Sequence, residues 1–150
     1  MPDSGLREKP KRTLRIITAV AAVLWAALIF FLSSIPGSGF PPHPDILNSI
    51  AHFFMYCALV ILVTLALNSP KRALWKTALI AIVICSLYGA SDEFHQSFTG
   101  RNCDIFDWII DTVAAIVGAG ATIWFISSRK VKSSRARDAE KKARTRKGEQ

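Results

Sequence analysis

The sequence holds little that would build a soluble enzyme or a cross-linked secreted domain. Its three cysteines are an odd number with no C-x-x-C spacing, which argues against a disulfide framework and a cysteine-based zinc site. No stretch alternates apolar and polar residues at the period of a strand, which argues against a transmembrane barrel. No cysteine stands beside a base and no Ser-His-Asp set is legible, so covalent acyl transfer has no visible apparatus. Asp, Glu, Lys and Arg are missing from four long apolar runs, and Lys and Arg are missing altogether from residues 33–49.

What is present is sharply sorted. The chain has 150 residues, 51% hydrophobic, yet carries 19 Lys and Arg against 11 Asp and Glu. A soluble domain would intersperse these groups; here the charges fall between and beyond the apolar runs, which is the membrane pattern. The runs cover residues 16–32, 50–67, 77–90 and 112–126. A helix needs about 20 residues to cross a hydrocarbon core of ~30 Å, so the third and fourth runs must lengthen into their flanks. Trp25, Trp75, Trp108 and Trp124 stand mostly near run ends, where indole favours the interface. Cys57 and Cys85, inside runs two and three, read as small apolar fillers.

Orientation follows from the cations. Eighteen of the nineteen Lys and Arg precede run one, separate runs two and three, or follow run four; only Arg101 lies on the other side. The side rich in Lys and Arg is cytoplasmic, so both termini are expected inside and the segment around Arg101 outside, in a bacterial cytoplasmic membrane. Run one has a basic lead-in like a signal peptide, but it is longer than a usual apolar signal core and no small-x-small site follows it cleanly, so a retained helix is expected. The expected fold is an all-α membrane protein with four transmembrane helices, N-in/C-in, and a polar cluster on the outer face. Residues 1–13 form a basic cytoplasmic N-terminus, 14–128 the membrane domain, and 129–150 a disordered basic tail too poor in apolar residues to build a core. No aromatic residue is interleaved with the tail cations, so the anionic inner leaflet is the expected partner and no nucleic acid is.

The chemistry concentrates in residues 91–111, where five carboxylates accompany a single Arg. Asp92, His95 and Gln96 stand at i, i+3 and i+4; Asp104, Asp107 and Asp111 stand at i, i+3 and i+7. Glu93 and Arg101 lie between them, and Gly100 is a natural turn. In run two, His52 and Tyr56 stand at i and i+4 near the same surface. Three helix ends are thus expected to converge on one pocket of His52, Tyr56, Asp92, Glu93, His95, Gln96, Arg101, Asp104, Asp107 and Asp111, with Arg101 against an acid and Asp111 pointing into the bundle. Singly, each residue has a structural role available: Asp104 or Asp107 as a helix cap, Arg101 as a neutralising partner, His52 as an intramembrane hydrogen-bonder. Collectively, carboxylates at membrane depth are costly, and that surplus favours a functional pocket.

The stretch His52-Phe53-Phe54-Met55-Tyr56 resembles the H-F-x-x-Y of the VanZ-like family of bacterial membrane proteins. Asp92-Glu93-Phe94-His95-Gln96-Ser97-Phe98-Thr99-Gly100-Arg101, followed by Asp104, Asp107 and Asp111, is similar to that family's second signature, D-E-x-x-Q-x-F-x-x-x-R with spaced acids and a small-residue helix behind it, here supplied by Gly118 and Gly120. Family members often carry Asp-Lys where this chain has Asn48-Ser49. The resemblance implies an envelope protein, since the family is named for a protein that raises resistance to teicoplanin. Three functions are compatible with it. One is an accessory protein that binds a glycopeptide or a lipid-linked cell-wall precursor. A second is a membrane enzyme that acts on a lipid head group with a divalent cation held by the acids and His52 or His95 as acid and base. The third is a small ion or proton transporter.

Overall fold

Each apolar run folds as a helix that extends past the run itself, because a span shorter than the hydrocarbon core would leave unpaired peptide groups in lipid. The computed structural model describes residues 5–35, 45–99 and 104–148. They form α1 (Gly5–Ser33), α2 (Asp45–Leu67), α3 (Leu74–Gln96) and α4 (Ile105–Gly148), with no strand among the described residues. All four are long and apolar enough to cross a membrane: Arg12–Ser33, Ile46–Leu67, Leu74–Gln96 and Ile105–Lys142. The third run lengthens at both ends, taking in Leu74 and Trp75 on one side and Asp92 to Gln96 on the other.

The helices run up and down in turn. Arg15 near the start of α1 donates from Nε to the Ala66 carbonyl near the end of α2, at 3.1 Å. Cys57 and Val60 of α2 meet Ala114 and Gly118 of α4 in the same order, so those two helices are parallel. Ser86 and Gly89 of α3 meet Thr112 and Asp111 of α4 in the reverse order, so those are antiparallel. This topology gathers Arg15, Lys71, Lys76 and Arg129 at one end of the bundle, the basic end, and Asp92, Glu93, Asp107 and Asp111 at the other, the acidic end.

The core is built from small residues on α4. Ala114, Ala115 and Ala119 are fully buried against Tyr56, Leu59 and Val60 of α2 and Ala78, Ala81 and Cys85 of α3. At Gly118 the two backbones come so close that a Cβ would lie 2.6 Å from Val60 Cγ1 and 3.1 Å from the Cys57 carbonyl oxygen. Lipid tails are as apolar as leucine, so such close small-residue packing, rather than hydrophobic burial, holds membrane helices together. The large apolar side chains, among them Val23, Leu24, Phe31, Leu87, Ile116 and Val117, point outward, where lipid would cover them.

Residues 129–148, expected as part of a disordered tail, continue α4 as a helix that is exposed over residues 129–142. The reason is local: Ala, Arg, Lys and Glu are strong helix formers, and Arg144 pairs with Glu140 one turn back at 2.8 Å. Trp25, midway along the first run, lies within α1, and its indole donates to the Met55 carbonyl of α2 at 2.9 Å.

Candidate functional site

The seam between α2 and α4 carries the first part of the site. Asn48, Ser49, His52 and Tyr56 follow each other along one stripe of α2 at helical spacing. Opposite them, Asp107 accepts hydrogen bonds from Asn48 Nδ2 at 2.8 Å and Ser49 Oγ at 3.2 Å. One turn deeper, His52 Nδ1 lies 3.1 Å from Asp111 Oδ1, with both side chains buried. Tyr56 is fully buried below, its ring stacked on His52 with centroids 6.2 Å apart.

The end of α3 closes the site. Gln96 donates from Nε2 to both Asp92 Oδ2 and Glu93 Oε1, each at 3.3 Å. The second oxygen of Glu93 accepts the backbone amide of Asp104 at 3.0 Å, which ties the end of α3 to the start of α4. As a result His52, Glu93 and Asp111, from three different helices, each place a nitrogen or carboxylate oxygen within 4.8 Å of the others, and all three are buried. Four buried carboxylates, Asp92, Glu93, Asp107 and Asp111, surround this point. Leaving a buried polar atom unpaired costs about 1–3 kcal/mol. Five buried side-chain atoms have no partner among the described residues: Ser33 Oγ, Tyr56 Oη, Thr64 Oγ1, Asp92 Oδ1 and Asp111 Oδ2. All but Thr64 belong to the acidic half.

Two of the residues expected here stand elsewhere. His95 turns away to α1, where it stacks on Phe30 at 4.4 Å and shares a 3.0 Å hydrogen bond with Ser34. Residues i and i+3 are not coincident on a helix: at 100° per residue His95 lies 60° to one side of Asp92 and Glu93 100° to the other, so α1 takes one and α4 the other. Asp104 is exposed and caps α4, accepting the Phe106 amide at 2.8 Å. Arg101 lies outside the described residues. Asn48 and Ser49, four and three residues before His52 where family members often carry Asp-Lys, hold Asp107; being uncharged, they are not among the expected site residues.

A cleft of about 360 Å³ opens onto the cluster between α1, α2 and α3. Its walls are mainly apolar, with Ile29, Leu32, Leu47 and Met55 among them, while His52, Asp92, Gln96 and Ser33 supply the polar lining. Ser33 Oγ from α1 and Asp92 Oδ1 from α3 are both buried here and have no partner among the described residues.

Four helices long and apolar enough to span, with their buried carboxylates collected at one end, make this a multi-pass helical membrane protein. The family model described as VanZ/LLP1 matches residues 18–126, and the chain belongs to that family. The match covers the helical bundle and stops short of the basic extension of α4. No curated protein and no solved structure matches the chain.

Proposed function

We propose that this protein binds an amphiphile, a membrane lipid or a lipid-linked cell-wall precursor, in the cleft at the acidic end. The acidic end faces outward from a bacterial cytoplasmic membrane, following the excess of Lys and Arg at the basic end. The observation that carries the reading is an apolar cleft with two unpaired, buried hydrogen-bonding atoms, Ser33 Oγ and Asp92 Oδ1, on two different helices. Ligand sites combine apolar walls with a few convergent polar groups in this way. The chain lies along Ile29, Leu32, Leu47 and Met55, and the head group meets Ser33, His52, Asp92 and Gln96. Holding a cell-wall precursor there gives the family's link to teicoplanin a physical route, because a retained precursor is withheld from a glycopeptide. Transport fits less well: towards the basic end the buried residues are Leu59, Val60, Ala78, Ala81 and Ala119 with threonines, and no buried ionisable chain continues among the described residues.

The test is a lipid inventory of the protein purified in mild detergent, by native mass spectrometry. Wild type is expected to retain a distinct amphiphile. Ala51→Trp, which fills the cleft from an exposed position on α2, is expected to lose it while keeping its thermal stability. An identical lipid profile for the two proteins would refute the reading.

A further inference from the structure

We propose that His52, Glu93 and Asp111 bind one first-row divalent cation of the Zn²⁺ or Mn²⁺ type beneath the cleft. Three helices each deliver one donor: an imidazole nitrogen from α2, a carboxylate from α3 and a carboxylate from α4. Bonds of about 2.0–2.2 Å from metal to nitrogen or oxygen put neighbouring ligand atoms roughly 3.0–3.5 Å apart and opposite ones about 4.2 Å apart. The 3.1 Å between His52 Nδ1 and Asp111 Oδ1 falls in that range, and all three donor atoms lie within 4.8 Å of one another.

A cluster of acids alone would not carry this, but the atoms left over point the same way. Asp111 has no exposure, gives one oxygen to His52 and leaves the other with no partner among the described residues. Tyr56 Oη, on the fully buried ring stacked against His52, is also unpaired, and so is Asp92 Oδ1. A buried carboxylate oxygen that accepts nothing is costly, and a cation is the partner that suits it. The donor set selects the ion. Mg²⁺ and Ca²⁺ favour all-oxygen surroundings, whereas an imidazole with two carboxylates suits Zn²⁺ and Mn²⁺. Among the described buried residues, His52 is the sole base facing Asp92, Glu93, Asp107 and Asp111, so a dication would also offset the accumulated negative charge.

The cation deepens the amphiphile reading and rests on it only for its use: with His52 shared between the cation cluster and the cleft, a phosphate or carboxylate head group would complete the coordination. Its own test does not depend on a lipid. Full-length protein in detergent, stripped with EDTA and with any affinity tag removed, is titrated with Mn²⁺ and separately with Zn²⁺. One ion per chain and a rise in thermal midpoint are expected. Electron spin echo modulation of the Mn²⁺ form should show nitrogen coupling from an imidazole, and should keep it in His95→Ala. Glu93→Gln and Asp111→Asn should bind at least tenfold more weakly. The spin-echo measurement on wild type stands even if those variants do not fold. Wild type that binds no ion, or bound Mn²⁺ without nitrogen coupling, overturns the proposal, as do folded E93Q and D111N that bind like wild type. Lipid retention measured after EDTA treatment separates the two readings. Lipid kept with no ion bound sinks the cation alone, and an ion bound with the same lipids in wild type and A51W sinks the amphiphile alone.

Discussion

Gly89 of α3 makes room for Asp111 of α4: a Cβ at position 89 would stand 3.1 Å from Asp111 Oδ2 and 3.4 Å from Tyr56 Cε1. The missing side chain lets a carboxylate reach the middle of the bundle, against His52, instead of facing lipid. Gly89→Val should therefore disturb the site before it disturbs insertion. It is expected to cost about 1–3 kcal/mol, as overpacking does elsewhere, and to abolish ligand retention. Thermal unfolding in detergent together with the lipid inventory measures both; a valine tolerated without either effect would mean that Asp111 is not held where it stands.

Gly118 and Gly120 look alike in sequence and should behave oppositely. Gly118→Ala forces its methyl group into Val60 and towards the Cys57 carbonyl, so it should lower the thermal midpoint, with Val60→Ala in the same chain recovering part of the loss. A Cβ at Gly120 meets nothing within 4 Å, so Gly120→Ala should be neutral or stabilise by up to ~1 kcal/mol through helix propensity. Equal melting curves for the two alanine variants would contradict the close α2–α4 approach.

Orientation can be read from thiols. Cys85 is buried and Cys57 is partly buried, giving its Sγ hydrogen to the Ala114 carbonyl at 3.3 Å. With the acidic end outside, Cys103, which lies beyond the described residues, should react with a membrane-impermeant maleimide in intact spheroplasts, while those two stay unlabelled. Labelling of Cys103 only after lysis would invert the topology.

The basic extension should be dispensable for insertion. Arg129 and Lys130, with Lys71 and Arg72 between α2 and α3 and Lys76 in the first turn of α3, leave the basic end strongly positive when residues 132–150 are deleted. Membrane levels and lipid retention of the truncated protein should equal those of the full chain. A truncated protein that inserts normally but retains no lipid would assign the extension a role in binding.

The bundle was legible because its signal is cumulative: four runs without Asp, Glu, Lys or Arg leave few folds open, and cation placement adds a direction. The helical extension of α4 was not, because a polar segment lacking a core reads as disorder, and the local propensity that makes it helical is a weak signal. Within the site, residue identities were legible as charges in an apolar setting. Their pairing was not. Whether His95 or Glu93 joins Asp92 depends on which helix packs on which flank of α3, and sequence spacing is silent on that. The cap formed by Asp104 and the Asn48 and Ser49 hydrogen bonds to Asp107 arise from the same packing.

The length of α4 divides its cations into two populations. The helix has 44 residues, about 66 Å of rise, of which a ~30 Å hydrocarbon core occupies the first 20 or so. Counted that way, Arg129 and Lys130 fall about where the lipid head groups begin. Arg144, some twenty residues past Trp124, lies ~30 Å farther along a straight axis. Electrostatic screening in physiological salt acts over roughly 8 Å, so the distal charges of an upright α4 are several screening lengths from the bilayer and barely sense its potential. Added salt should weaken the membrane's hold on the near group and leave the far group unchanged. The C-terminal turns of an upright α4 thus form a charged mast whose electrostatic surroundings are the aqueous phase and its solutes rather than the lipid.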